Sequence, residues 1–255
     1  MPRRSDALPA APKGRRTHVD GARRNRTNRH LSSVDPVAEL LLVIGNKRYS
    51  TWSLRAWIAV KHLGLPFREE RIVLDRPDTA AEILKRSPAG RVPVLVDGGL
   101  TVHESIAILE YLNETRAEGT LLPKAVGDRA VCRSVCAEMH AGFASLRQNL
   151  PMMLGRRPRP VPLAEQTRRD IRRILEMWEA LRERHRSAGP YLFGAFSMAD
   201  CMYLPVATRF MTYEADLTSY PRARVYMEAL LAHPGFLEWK AAALQEQEIR
   251  PGDEA

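Results

Sequence analysis

The chain has few of the features that mark secreted, metal-bound or membrane-embedded proteins. Its three cysteines are Cys132, Cys136 and Cys201. An odd number without a Cys-x-x-Cys pair argues against a disulfide framework or a structural zinc, and fits reduced thiols in a cytosol. No stretch approaches the ~18 consecutive apolar residues of a membrane span. The first thirty residues lack the unbroken apolar core of a secretory leader. No nucleophile elbow is present, so no Ser-His-Asp hydrolase is expected. Nor does any basic helix interleaved with aromatics mark a nucleic-acid surface. The reading is a cytoplasmic protein with no metal, no membrane partner and no specific nucleic acid.

The formal charge of +9 does not alter that reading, because of where it lies. Residues 1–35 hold eight Arg and one Lys against three Asp, so six of the nine net charges sit in that segment. Such a tail binds polyanions without specificity. Residues 1–38 carry almost no large apolar side chains and are expected to be disordered. A transit peptide would also be Arg-rich and acid-poor, although Pro9, Pro12, Gly14 and Gly21 spoil an amphipathic helix. With 255 residues, 45% of them hydrophobic, the whole chain can bury a normal core in one large domain or two smaller ones.

From Leu41 the pattern alternates. An apolar run from Leu41 to Ile44 predicts a strand, Trp52 to Leu63 a helix, and Phe67 to Leu74 a second strand. Gly64-Leu65-Pro66 supplies the left-handed stop, the apolar fold-back residue and the proline that ends the helix. A weaker helix is predicted around Thr79 to Arg86, then a strand carrying Val92-Pro93-Val94-Leu95. Leu100 to Val102 forms a hairpin partner across Asp97-Gly98-Gly99, and Ser105 to Glu114 a closing helix. This β-α-β-α-β-β-α order is α/β and thioredoxin-like. Strand signals cease after Glu114. Leu121-Leu122-Pro123 reads as an apolar latch in a linker, and the remainder as helices. Ile171, Ile174, Leu175, Trp178 and Leu181 define one buried face, and Ser197 with Asp200 a capping box whose role is structural.

Three segments carry chemistry. Pro93 cannot donate a backbone hydrogen bond, so at a sheet edge or in a cis turn it leaves Val92 free to pair with a ligand's backbone. Glu104-Ser105 immediately precedes Ile106, so the serine hydroxyl and the first free amides of that helix meet any arriving anion. Ser50 stands just ahead of a helix start, where a hydroxyl can donate to a thiolate while the helix's positive end attracts it. Serine acts there as a donor and not as a base; the alternative is that Ser50 is a plain helix cap. An extended ligand with amides in its middle and an amine and a carboxylate at one end satisfies all these groups. Glutathione is such a ligand.

Ser50-Thr51-Trp52-Ser53-Leu54-Arg55, the Arg91 to Leu112 segment and Phe196-Ser197-Met198-Ala199-Asp200 together resemble the cytosolic glutathione transferases, closest to their serine-using zeta and theta-like members. The resemblance covers about Leu41 to Trp239. It implies a thioredoxin-like glutathione-binding domain over 39–116, a linker over 117–127 and an all-helical domain over 128–245. By that resemblance the catalytic serine falls on Ser50, with Tyr49 and Thr51 as substitutes and Ser53, three positions on, as a further site candidate. Arg55 then holds a substrate carboxylate or ties down the loop. Val92 pairs with the cysteinyl unit, Pro93 is the cis proline, and Glu104 and Ser105 hold the γ-glutamyl end. Arg91 is a candidate for the glycyl carboxylate.

The resemblance further implies a homodimer and an apolar second-substrate pocket between the domains, for which Met139, His140 and Phe143 are the candidates. Zeta-type isomerases usually carry Ser-Ser-Cys where this chain has Ser50-Thr51-Trp52. The leading expectation is a transferase joining the glutathione thiolate to an apolar electrophile in detoxification or stress response, with peroxide reduction as a side activity. Two alternatives remain open: a non-catalytic binding protein with this fold, and a glutathione-dependent isomerase or ether-cleaving lyase.

Overall fold

A computed structural model of the chain describes residues 39–248; the tail expected to be disordered, 1–38, lies outside them. The α/β half follows the expected order: β1 (Leu40–Ile44), α1 (Thr51–His62), β2 (Phe67–Arg71), α2 (Thr79–Leu84), β3 (Val94–Asp97), β4 (Leu100–His103) and α3 (Ser105–Thr115). The sheet order is β2-β1-β3-β4. β1 runs parallel to β2 and antiparallel to β3, with Leu42 opposite Leu95. β3 and β4 form an antiparallel hairpin, with Leu95 opposite Val102.

Two expected elements end early, for local reasons. Past Arg71 one ladder bond continues, from Ile72 N–H to Ile44 O at 2.8 Å. The Asn46 side chain then accepts the Leu74 amide at 2.8 Å, so β2 stops short of Leu74. Helix α2 ends at Leu84 because the amides of Arg86 and Ser87 both turn back onto Ile83 O. Of the two places expected for Pro93, a sheet edge or a cis turn, it takes the second: Val92–Pro93 is a cis peptide just ahead of β3, which starts after the proline and lies inside the sheet.

Six helices follow: α4 (Val126–Ala141), α5 (Ala144–Asn149), α6 (Glu165–Arg184), α7 (Met198–Thr212), α8 (Pro221–Leu231) and α9 (Pro234–Leu244). Between α5 and α6 the chain runs from 150 to 164 without regular structure, a departure from a wholly helical second half. The expected latch is present: Leu121 and Leu122 are buried, the Leu121 amide donates to Asn113 Oδ1, and Leu121 O accepts from Met198 N. α6 buries the predicted face of Ile171, Ile174, Leu175, Trp178 and Leu181. At the head of α7, Ser197 N–H and Oγ–H both donate to Asp200 Oδ2, at 2.7 and 2.8 Å.

One continuous core joins the two halves. Helix α1, buried at nine of its twelve residues, is its centre and packs against α3, α7 and α9. Trp57 on α1 meets Trp239 on α9 edge to face at 5.2 Å. Among the described residues no helix is long and apolar enough to cross a membrane. No group of three or more His, Cys, Asp and Glu side chains there could hold a metal ion.

Candidate functional site

The amino ends of α1 and α3 converge on one cavity of about 800 Å³, roofed by α4, α5 and α7. Its wall includes Tyr49, Ser50, Thr51, Arg91, Val92, Pro93, Glu104, Ser105 and His140, so nine of the residues singled out from sequence meet there. The other four do not line it. Ser53 and Arg55 lie fully buried behind it, and Met139 is a core residue of α4. Phe143 sits in a left-handed turn (φ 55°, ψ 41°) that starts α5, with its ring in the core. The two apolar candidates for the second pocket, Met139 and Phe143, are therefore corrected to packing positions, while His140 keeps its place.

Ser50 caps α1, and its hydroxyl is buried but on the cavity wall. It accepts weakly from Ser53 N–H at 3.4 Å and donates to Ser53 Oγ at 2.8 Å. Ser53 Oγ in turn accepts the Gly45 amide at 3.0 Å. The two readings of Ser50 thus coincide in one residue: it is the cap, and it faces the site.

At the head of α3, Glu104 has φ 69° and ψ 122°, a conformation that non-glycine residues adopt only when their surroundings enforce it. It sets Ser105 as the first helical residue. Ser105 is 1% exposed, and its hydroxyl has no partner among the described residues although it lies on the cavity wall. An unpaired buried hydroxyl costs about 1–3 kcal/mol. A ligand carboxylate at this helix start would relieve that cost, so the residues present fit the amino-acid end of a peptide thiol.

The opposite wall is cationic, and of its arginines only Arg55 is anticipated from the sequence. Arg147 and Arg209 line it, and Arg55 stands behind Trp52. The Arg55 guanidinium stacks on the Trp52 ring at 4.3 Å, and Arg147 approaches the same ring at 5.6 Å. All three Arg55 nitrogens are buried without a hydrogen-bond partner among the described residues. Burial first, then the charges of Arg209 and Arg147, pushes the Arg55 pKa down to about 9. Arg209 donates to Leu150 O and Pro205 O, and burial followed by Arg147 lowers it to about 10. Glu104 is the one carboxylate on the described wall, 3.6 Å from His140 Nε2. Burial lowers the His140 pKa more than Glu104 raises it.

A signal for Arg209 exists in the sequence. It is a lone charge in the run Tyr203-Leu204-Pro205-Val206-Ala207-Thr208-Arg209-Phe210, and charged residues are almost never buried unless something pairs with them. Arg147, 62 positions earlier, offers no such signal among the many surface arginines.

A thioredoxin-like domain whose cis proline, helix starts and covering helices enclose one polar cavity defines a class, the two-domain thiol-peptide transferases. Residues 49–115 match the family description "Glutathione S-transferase, N-terminal domain", and residues 162–229 match "Glutathione S-transferase, C-terminal domain". This chain belongs to the glutathione S-transferase family.

Among curated relatives, it is 30% identical over 191 residues to the maleylacetoacetate isomerase of Rattus norvegicus, covering 73% of this chain and 85% of the relative. It is 29% identical over 192 residues to a zeta-class glutathione S-transferase of Euphorbia esula, covering 73% and 84%. Solved structures share the fold. A glutathione transferase homolog from Burkholderia, with bound glutathione, superposes with a TM-score of 0.61 at 22% identity, covering 82% of this chain and 100% of that one. A bacterial zeta-class maleyl pyruvate isomerase superposes with a TM-score of 0.62 at 24% identity, covering 84% and 100%.

Proposed function

We propose that this chain is a glutathione-dependent enzyme acting on an electrophile that carries a carboxylate. The observation that carries the reading is the pairing, in one cavity, of a Ser105 hydroxyl at a helix start, with no partner among the described residues, and of Arg147 and Arg209, with which no described acid forms an ion pair. Glu104 takes the γ-glutamyl amine, and Ser105 with the first amides of α3 takes the adjoining carboxylate. Val92 offers its backbone beside the cis proline, and Arg91, exposed at the rim, meets the glycyl end. Bound glutathione supplies the nucleophile, a thiolate.

Ser50 turns its hydroxyl proton from Ser53 to that sulfur and, with the positive end of α1, favours ionisation. One pKa unit of such favour needs about 1.4 kcal/mol, within reach of a charge-assisted hydrogen bond. Arg147 and Arg209 orient the electrophile by its carboxylate. In this reading the second-substrate pocket takes a carboxylate as well as apolar groups, because two cations on its wall attract an anion and gain nothing from a purely apolar occupant.

A reversible addition and release of the thiolate would isomerise a double bond, and retention of the adduct would conjugate it. The isomerase alternative gains support from the arginine wall and from the names of two of the similar proteins, a maleylacetoacetate isomerase and a maleyl pyruvate isomerase. The test is Ser50→Ala assayed with glutathione and a maleyl- or fumaroyl-type acid. Turnover falls at least tenfold while the KM for glutathione stays within about threefold; equal turnover contradicts the assignment. Product mass distinguishes an adduct from an isomer in the same assay.

A further inference from the structure

The loop between β1 and α1 delivers Ser50 to the cavity, yet its middle is not held by its own neighbours. At Lys47 and Arg48, all four backbone groups bond to residues more than a hundred positions away. Lys47 O accepts from Trp239 Nε1 at 2.9 Å, and Arg48 O accepts from Leu154 N at 3.1 Å. The two consecutive amides, of Lys47 and Arg48, donate to Oε1 and Oε2 of Glu246 at 2.7 and 3.0 Å.

Glu246 comes just after α9, and its side chain is only 6% exposed. Arg71 at the end of β2 approaches the same carboxylate at 3.4 Å and grips Glu248 with two bonds of 3.0 Å. The Arg48 guanidinium returns a bond to Glu246 O at 3.3 Å. Directly downstream, Asn46 O accepts the amides of Tyr49 and Ser50 at 3.3 and 2.9 Å. Glu246 is thus one tight turn away from the cap of α1.

We infer that Glu246 is a positioning residue for Ser50: its buried carboxylate fixes the turn that aims the serine hydroxyl at the thiol. This rests on the proposed role of Ser50 as thiolate donor. Two backbone amides bound by one ionised side chain form a stiff joint, because charge-assisted bonds are short and roughly twice as strong as neutral ones. Without it both amides would be left in a part-buried loop and the turn would relax. The amino-acid end of the peptide, held at Glu104 and Ser105 on α3, would not be disturbed. The cost would fall on ionisation and turnover and leave affinity intact.

The experiment compares Glu246→Ala, Arg71→Ala and Ser50→Ala as full chains. Each is saturated with glutathione, and thiolate absorbance is followed across pH. Glu246→Ala is expected to raise the apparent thiol pKa by about one unit and lower kcat about tenfold near neutral pH, with the KM for glutathione within twofold. Arg71→Ala, which spares both amide bonds, leaves the titration unchanged.

If Glu246→Ala lowers the melting temperature but leaves thiol titration and kcat as in the parent, the residue is a structural strap only and the inference fails. If Ser50→Ala itself leaves the titration unmoved, the serine assignment fails first, and the two failures are thereby told apart. Should Glu246→Ala not fold, Glu246→Gln keeps one acceptor oxygen. An intermediate titration shift in that variant supports the inference, and a parental titration overturns it.

Discussion

At the scale of single residues, the account depends on side chains left incomplete in the free protein. Among the described residues Ser105 has no hydrogen-bond partner for its buried hydroxyl, and Arg55 none for its three guanidinium nitrogens. Arg147→Ala should raise the KM for a carboxylate-bearing electrophile about tenfold and leave that for a neutral chloroarene within twofold. Steady-state kinetics with the two substrates checks this; equal changes for both would point to a general loss of structure. The places of Ser50, Glu104 and Ser105 on the cavity wall were legible in the sequence because each is defined by its neighbours, a hydroxyl or an acid just before a helix, whereas Val92 and Pro93 were read inside a strand that in fact starts after them. The pairing of Arg147 with Arg209 was not legible, because residues on α5 and α7 reach the same cavity only once the helices are assembled. Trp52, read from sequence as a bulky replacement for cysteine, turns out to be the plate on which Arg55 stacks.

At the scale of elements, helix ends govern stability. Asp200 is fully buried and accepts from Ser197 and from the Leu192 amide at 3.2 Å. Burial raises its pKa to about 6, against the pull of those bonds. Asp200→Ala strands the amides of Ser197 and Leu192 and should cost about 2–4 kcal/mol in chemical denaturation. His233 caps α9 by accepting from Gly235 N at 3.1 Å through Nδ1, while its Nε2 meets His62 Nδ1 at 3.2 Å.

Burial, then His62, lowers the His233 pKa to about 4. A depressed histidine is held neutral by the fold. Its contribution is therefore complete above pH ~6.5 and is lost as pH falls toward ~4. Asp200 works in the opposite sense over nearly the same window, binding its proton more readily in the folded chain, so the parent's net slope there is shallow. His233→Asn keeps a capping acceptor and removes only the histidine's share. With only the Asp200 share left, its stability, read from the melting temperature, should rise relative to the parent's as pH falls from 6.5 to 4.5, by about 1–2 kcal/mol after allowance for solvent screening. An identical pH slope in both proteins would refute the assignment. The capping box was readable from Ser197 and Asp200 alone, whereas the His62–His233 contact joins residues 171 positions apart and left no local trace.

At the scale of the whole molecule, the two halves share one core through α1, with Trp57, Trp239 and Phe236 at the junction. Calorimetry should show a single unfolding transition, since neither half buries α1 without the other. Two resolved transitions would contradict that. Trp239→Ala removes a fully buried indole along with its bond to Lys47 O, and should cost about 3–5 kcal/mol. The order of strands and helices was legible because hydrophobic periodicity is local. The placement of β3 inside the sheet was not, because nothing in Val92-Pro93-Val94 says which strand lies on its far side.

Titration calorimetry of the full chain with reduced glutathione tests the central claim most directly. The account predicts saturable heat below millimolar concentration, with affinity weakened about tenfold by Ser105→Ala, which removes the anchoring hydroxyl, and nearly unchanged by Ser50→Ala, which does not. No heat at millimolar glutathione, or equal affinity in the parent and Ser105→Ala, would contradict it.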